Sequence, residues 1–185
     1  MENEIEAHSG NKRLALLIAV LALCLAIIET GAKSAQTQAL VANVETSNLW
    51  AFYQAKTIRQ TIVRTAVEQS ELQRPTLDPA QQATLDTQQK AWRDLIARWE
   101  SEPSTGEGRK ELIERARTAD HTRELATSQY HLLEFAAGAL QVAIVVVSAS
   151  IVTGVAALWV LGILLGAGGV VLGVIGHWAP TLIHL

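Results

Sequence analysis

Cysteine is nearly absent from this sequence. Only Cys24 occurs among the 185 residues, and it lies inside an apolar run near the N-terminus. An internal disulfide is therefore impossible, which excludes the disulfide-stabilised secreted domains. A thiol in such a run gives no information about the redox compartment of the protein.

Catalytic and nucleotide-binding motifs are also lacking. There is no GxSxG, no P-loop, no dinucleotide fingerprint and no CxxC, so no enzyme class has support in the sequence. Paired carboxylates, such as Glu100 with Glu102 or Glu111 with Glu114, lie on charged loop and helix surface without an apolar pocket that would shift a pKa. We therefore expect a protein that is not an enzyme and binds no small-molecule substrate.

The chain has no basic block and no histidine cluster. Its net charge is −3, which argues against nucleic acid as a partner and against a polybasic lipid-binding patch. His121 and His131 are ten positions apart, too far along one helix to share a metal ion. His177 and His184 flank Pro180 at a predicted membrane edge, where imidazoles serve as anchors. We expect no metal and no cofactor.

Charge is missing from one long segment. Between Phe135 and Ile183 there is no Lys, Arg, Asp or Glu, and a soluble protein of this size cannot bury such a run, whereas a bilayer can. The segment is long enough for two transmembrane helices, predicted at 132–153 and 156–177, with a tail at 178–185. Ser148 to Val155 is the predicted turn.

A further apolar run lies near the N-terminus. Leu14 to Ile28 follows Lys12 and Arg13, and extending the run to Ala32 gives a first transmembrane helix at 14–32 after a tail at 1–13. The same features describe a cleavable signal peptide, and the residues leave that alternative open. The span ends beside Glu29, for which an interfacial carboxylate and an ion pathway are the two interpretations.

The last predicted span carries a stripe of glycines. They are spaced by four and three residues, so they lie along one helix face, and they are Gly162, Gly166, Gly169, Gly173 and Gly176. A glycine stripe costs helix stability unless another backbone approaches it closely. We predict a helix-packing interface, either within the C-terminal pair of spans or between subunits.

The charged middle of the chain, residues 33–131, has the composition of helices. Glycine is confined there to positions 106 and 108. Pro75 is expected to end a helix, and Asp78 with Pro79 to begin the next as N-cap and first residue. We predict an extramembrane antiparallel helical stalk whose first helix continues the N-terminal span. Its helices are expected at about 33–73, 79–100 and 109–131.

A coiled-coil-like repeat runs along the first stalk helix. Seven of the ten residues are apolar at positions 41, 44, 48, 51, 55, 58, 62, 65, 69 and 72, which indicates a heptad seam. The second helix has a seam of Leu85, Gln88, Trp92, Leu95 and Trp99, and the third has one that includes Leu112, Ala116 and Ala119. Such alanine-rich seams bury little apolar area, so we expect further burial against another copy or another protein.

Aromatic residues are few, and three of them are close together. Trp50, Phe52 and Tyr53 lie within four positions, so they cannot all face the same seam. Either the second helix, with Trp92 and Trp99, covers them, or they form a partner-binding patch.

The sequence resembles a known family. A first span reading ALLIAVLALCLAIIETGAKSAQT, a helix with NLWAFYQAKTIRQT at residues 48–61, a charged helical region and two C-terminal spans resemble a bacterial inner-membrane family known only as a domain of unknown function, numbered four-three-three-seven. The likeness covers essentially the whole chain. Members usually carry basic residues in the last turn between spans, and this chain has none there. The resemblance implies topology and bacterial membrane localisation, and no activity.

The overall expectation is an all-α membrane protein of the bacterial inner membrane that acts as an oligomeric scaffold or an accessory subunit of a larger complex. Its partners are the bilayer and itself or another membrane protein. Lys12 and Arg13 precede the first span and only Lys33 follows it, which favours a cytoplasmic N-terminus and a periplasmic stalk. The alternatives are a signalling helical module, which would need a partner for its output, and a homo-oligomeric channel.

Overall fold

The protein is entirely helical wherever regular structure is described. The structure is a computed structural model that describes the backbone of residues 2–182 and the side chains of residues 12–182. Its helices are α1 (Glu2–Gln73), α2 (Pro79–Glu100), α3 (Arg109–Thr153) and α4 (Ala156–Trp178). A short 3-10 turn, Arg74–Thr76, lies between α1 and α2.

Three helical segments are long and apolar enough to cross a membrane. They lie within Lys12–Thr76, Arg109–Thr153 and Ala156–Trp178. Because a span needs roughly 20 residues of predominantly apolar helix, these segments indicate a membrane protein.

The chain divides into two compact units. The first contains the chain up to Leu40 together with the segment from Thr122 onward, and the second is Val41–His121. Helices α1 and α3 contribute to both units, whereas α2 belongs to the second and α4 to the first.

The first unit packs three apolar helical segments around a small core. Leu21 from α1 meets Leu140, Ala143 and Val147 from α3, and all four are buried. The chain passes from α3 to α4 at Gly154, whose φ of 72° is in the left-handed region that favours glycine. The sequence predicts a turn over Ser148 to Val155, whereas the structure continues α3 to Thr153 and leaves only Gly154 and Val155 between the helices.

In the second unit, α2 and α3 lie one after the other along α1. The α1 residues around Ser70 contact α2 near Gln89, whereas Leu49 packs against Leu112 and Ala116 of α3. Both helices therefore run antiparallel to α1 and cover the same side of it. Along most of its length in this unit, α1 packs against only one other helix. The opposite face of α1 is therefore uncovered.

Local chemistry explains where α2 begins. Asp78 precedes the helix, and its carboxylate accepts a 2.8 Å hydrogen bond from the Gln81 backbone N–H. The Gln81 side chain accepts a 3.1 Å bond from the Asp78 backbone N–H in return. This reciprocal capping box satisfies two helix-end donors, and Pro79 at the first helical position lacks the N–H that would need a partner.

The loop between α2 and α3 is closed by the first turn of α3. Glu111 accepts a 2.6 Å hydrogen bond from the Ser101 hydroxyl and a 3.2 Å bond from the Glu102 backbone N–H. Gly108 is buried against this loop, and a Cβ atom added there would lie 2.6 Å from the Ser101 Cα. The close approach of the two segments therefore requires glycine.

Candidate interaction surface

The predicted heptad seam of α1 forms an exposed apolar surface, which we call the α1 stripe. Its large side chains are solvent-accessible: Val41 is 62 % exposed, Val44 59 %, Ile58 60 %, Ile62 62 % and Leu72 81 %. Small and polar residues complete its ten positions, namely Asn48, Ala51, Ala55, Thr65 and Gln69. Neither α2 nor α3 covers this face.

The face that α1 turns toward α2 and α3 is offset from the stripe and is largely polar. Its buried positions recur at steps of three, four or seven residues, and they are Ala42, Thr46, Leu49, Lys56 and Gln60. Gln60 is 2 % exposed and Lys56 is 5 % exposed. In the second unit, polar side chains of α1 are therefore buried, whereas the apolar α1 stripe is exposed.

Arg109 is the centre of a hydrogen-bonded cluster that makes this polar interior possible. It is the first residue of α3, next to the end of α2. Its guanidinium donates a 2.6 Å bond to the Gln60 Oε1, a 3.0 Å bond to the Glu100 Oε2 and a 3.0 Å bond to the Tyr53 hydroxyl. One planar group therefore joins all three helices of the unit.

Gln60 completes the cluster from α1. Its amide nitrogen donates to the Ile96 carbonyl at 3.2 Å and to the Glu100 carboxylate at 3.1 Å. A buried amide costs free energy unless it is hydrogen-bonded, and here both its donor and its acceptor have partners. This is why a glutamine is tolerated in the interior.

The charges of the cluster shift two ionisation equilibria. The hydrogen bond from Gln60, followed by the charge of Arg109, holds the pKa of Glu100 below its ordinary value. The hydrogen bond and the charge of Arg109 also lower the pKa of Tyr53. Both shifts favour the anionic form beside a cation, which is what a structural ion pair produces.

Lys56 is satisfied by the neighbouring loop and by an aromatic ring. Its ammonium lies 3.7 Å from the Glu107 carboxylate and 5.1 Å from the centre of the Phe52 ring. The second contact is a cation–π interaction. The buried ammonium group therefore contacts one carboxylate and one aromatic ring.

The predicted aromatic patch is divided between the interior and the surface. Tyr53 points into the Arg109 cluster, and the guanidinium carbon of Arg109 lies 5.1 Å from its ring centre. Trp50 packs edge-on against Tyr53 at 5.7 Å, yet it and Phe52 remain partly exposed. These two rings lie beside the α1 stripe and extend its apolar area.

A second polar contact joins α1 and α2 farther along. Gln89, 1 % exposed, donates 2.9 Å bonds to the Ser70 hydroxyl and to the Glu71 carboxylate. Its own oxygen accepts a 3.0 Å bond from Arg93. The hydrogen bond from Gln89 lowers the pKa of Glu71. The interior of this unit is therefore polar along much of its length.

In the first unit, the glycine stripe of α4 is occupied by the protein's own helices. All five glycines, Gly162 to Gly176, are buried. A Cβ added at Gly166 would lie 2.6 Å from a methyl group of Leu21, and one at Gly169 would lie 3.0 Å from the Ala136 carbonyl oxygen. The stripe therefore lets α4 approach α1 and α3 closely. Of the two predicted interfaces, within the chain or between subunits, these contacts lie within the chain.

A polar groove lies on the other side of α3 in the same unit. The Gln141 amide donates a 3.0 Å bond to the Glu29 carboxylate, and the Tyr130 hydroxyl donates a 2.9 Å bond to Glu134. With Lys33, these residues line a cavity of about 430 Å³. Glu29 thus has a partner on a neighbouring helix, which is common for polar groups within spans.

An apolar cavity of about 300 Å³ lies near the end of α4, lined by residues that include Cys24, Gly173, His177 and Trp178. His177 and Trp178 stack edge to face at 5.9 Å. Among residues 12–182, no three His, Cys, Asp or Glu side chains are grouped to hold a metal ion. The side chains of His8 and His184 lie outside the described residues.

Sequence reasoning did not identify the Arg109 cluster. Its members come from residue 53 to residue 109, and no local motif connects them. One available signal was the polar residues Thr46, Lys56 and Gln60, which recur at the same helical spacing as buried apolar residues would.

The comparison with known proteins shows the family of the chain. The family described as "Domain of unknown function (DUF4337)" matches residues 10–179. This range contains all three helical segments that could cross a membrane. No curated protein and no solved structure matches the chain. Because the match extends over nearly the whole sequence, the chain belongs to the DUF4337 family.

Proposed function

We propose that this protein is a non-enzymatic, multi-pass protein of the bacterial inner membrane that serves as an oligomeric scaffold or as an accessory subunit of a larger membrane complex. In this proposal the unit Val41–His121 is a coiled-coil-like stalk outside the membrane. The apolar parts of α1, α3 and α4 are the three spans, and the last two form a C-terminal transmembrane hairpin.

The observation that carries the proposal is the α1 stripe. Exposed apolar surface in contact with water is rare on monomeric proteins at this extent and marks interaction sites. Full burial of a large aliphatic side chain is worth about 1.5–3 kcal/mol, so each of the five exposed ones offers a partner roughly 1–2 kcal/mol. A partner helix with the same spacing would recover that free energy.

The charge distribution supports a topology. Lys12 and Arg13 precede the first span and Lys33 follows it. Since basic residues remain on the cytoplasmic side, we place the N-terminus in the cytoplasm and the stalk in the periplasm.

Native mass spectrometry of the protein, extracted gently from its own membranes, tests the proposal because it reports copy number and co-purifying proteins together. We expect either several copies or a defined partner. A protein that is released as a single chain, with no partner in repeated extractions under mild detergents, would show that the proposal is wrong.

Matched variants connect the assembly with the stripe. Ile58→Lys combined with Ile62→Lys places two charges in the stripe, and it should convert the assembly to single chains. Asn43→Lys introduces a charge at an exposed position of the same helix outside the stripe, and it should leave the assembly intact. Equal losses in both variants would contradict a role for the stripe.

A further inference from the structure

We infer that the partner of the α1 stripe is a second copy of this chain, packed parallel and in register as a coiled coil over residues 41–72. The inference rests on the proposed function, because it specifies how the stalk of a membrane protein associates. It concerns the kind of partner and the geometry of packing. The individual residues of the stripe constrain both more closely than its hydrophobicity does.

The membrane determines the direction of the two helices. Each copy carries the first span and the stripe within one helix, Glu2–Gln73. Copies that insert the same way have their α1 helices parallel. Their spans also lie at the same depth, so equal residue numbers are at equal height. Each stripe residue of one copy therefore meets the same residue of the other copy, so the stripe must be self-complementary.

The stripe has this self-complementarity. Like residues meet in successive layers, and most layers are aliphatic: Val41, Val44, Ala51, Ala55, Ile58, Ile62 and Leu72. The small pair at 51 and 55 permits close approach of the two helices. The stripe spans about four and a half heptads, which is long enough for a stable two-helix contact.

Asn48 gives the seam its specificity. It occupies the first position of its heptad, and it is exposed in the single chain. A lone asparagine at that position pairs with its counterpart through its amide, and this pairing specifies register at some cost in stability. A partner with an apolar residue opposite Asn48 would leave the amide unsatisfied. A second copy supplies the matching group.

The residues beside the seam do not oppose the pairing. In a parallel coiled coil, the residue before the first position of each heptad faces the residue five places later on the partner. The charged residues at these positions meet neutral ones: Glu45 faces Leu40, Arg59 faces Gln54 and Glu68 faces Gln73 of the other copy. No like-charged pair is created, so parallel in-register packing encounters no repulsion along the flanks.

The intramolecular contacts of α1 leave room for this partner. Leu49, Lys56 and Gln60 point toward α2 and α3, on the side away from the stripe. A second α1 can therefore dock without displacing either helix.

Site-specific cross-linking in native membranes tests the geometry. Cys24→Ser removes the native thiol, and single cysteines are then placed at Val44, Ile58 or Ile62. A short bis-maleimide should join the two copies at each position, giving a covalent dimer on a denaturing gel. Cysteines at Asn43 and Arg64, exposed on α1 outside the stripe, should give little dimer. Dimer yields that are equal on and off the stripe would overturn the inference.

Mixed samples separate parallel from antiparallel packing. Positions 44 and 62 are about 27 Å apart along a helix at 1.5 Å per residue, so co-expressed copies bearing one cysteine each should not cross-link to each other. Abundant cross-linking between Val44→Cys and Ile62→Cys copies would overturn the parallel register.

A matched pair of substitutions examines Asn48. In-register packing brings two aspartates together in Asn48→Asp, so the dimer yield at Ile58→Cys should fall at least about tenfold if repulsion costs about 1.4 kcal/mol. Asn43→Asp makes the same chemical change outside the stripe and should leave the yield unchanged.

If native mass spectrometry still shows an assembly while stripe cross-links are absent, this inference fails and the proposed function stands. If no assembly is seen, both fail.

Discussion

Arg109 is the residue on which the packing of the second unit depends. It donates to Gln60, Glu100 and Tyr53, which come from α1 and α2. Gln60 and Glu100 bond to each other as well as to Arg109, so the three side chains form one network that includes all three helices. Its loss therefore removes several contacts together and leaves a buried amide without one partner.

Replacing Arg109 with methionine, which keeps an unbranched side chain but removes the guanidinium, should lower the free energy of unfolding by about 1–3 kcal/mol, the cost of leaving buried polar groups unsatisfied. Thermal unfolding in detergent, followed by circular dichroism, measures the change. Lys110→Met removes a charge from the exposed neighbouring position and is the control. Equal destabilisation by both substitutions would show that charge alone matters.

Acid should weaken the same unit. Hydrogen bonds from Gln60 to Glu100, from Gln89 to Glu71 and from Ser101 to Glu111 lower the pKa of each carboxyl group. A folded-state pKa below the unfolded one contributes stability that is fully present above about pH 4.3, the ordinary pKa of glutamate. That stability is lost as the pH falls through the lower, folded-state values.

The midpoint of thermal unfolding should therefore decrease between pH 6 and pH 3. Glu100→Gln carries no titrating group at this position, so the variant should be less stable than the parent near neutral pH and should lose less on acidification. An unchanged midpoint in acid would contradict this role for the three carboxylates.

Among the elements, α4 depends on the absence of side chains along one face. Gly169 is buried against Ala136 and Leu140, whereas a Cβ at Gly168 would meet nothing within 4 Å. The two glycines are neighbours in sequence and differ only in the face they occupy. They form a matched pair for testing how α4 packs.

Gly169→Leu should disrupt the packing of α4, because the added atoms have no room beside the α3 backbone. Gly168→Leu should be neutral or stabilising, since it adds helix propensity at an open position. The fraction of folded protein after heating in detergent, measured by gel-filtration recovery, distinguishes the two. A similar recovery for both would exclude close packing at the glycine stripe.

The helix ends and the apolar runs could be predicted from the sequence. Which face of α1 packs against the other helices could not. Asp78 with Pro79 carries the chemistry of a helix start, and the uncharged segment after Glu134 requires apolar surroundings. Periodicity correctly identified an apolar face on α1. It could not show that this face lies outside, because the polar partners of Lys56 and Gln60 are about 40 to 50 residues away in the chain.

A similar limit applies to α2. Its apolar spacing predicted inward positions at Gln88 and Leu95, which are exposed, whereas Gln89 and Ile96 face inward. The inward Gln89 is stabilised by Ser70 and Glu71 on α1. The other seam positions, Leu85, Trp92 and Trp99, are partly buried, so the apolar pattern located the face of α2 and missed the inward Gln89, whose packing depends on hydrogen bonds.

At the scale of the whole molecule, assembly and stability should be coupled. A protein that buries the α1 stripe only when assembled gains stability by mass action, so its unfolding midpoint should rise with protein concentration. Measurements over a hundredfold range of concentration in one detergent provide the test. The double variant Ile58→Lys, Ile62→Lys should show no such dependence. A parent protein whose midpoint is independent of concentration would contradict the coupling.

The polar interior of the second unit also has a consequence for the life of the protein in a cell. Exposed aliphatic residues are a common signal for chaperones and quality-control proteases, and a copy without its partner displays Val44, Ile58 and Ile62 together. Such orphan copies would be degraded while assembled ones persist. Because pairing of like copies depends on their concentration, cellular abundance would then fall more than in proportion when the rate of synthesis falls.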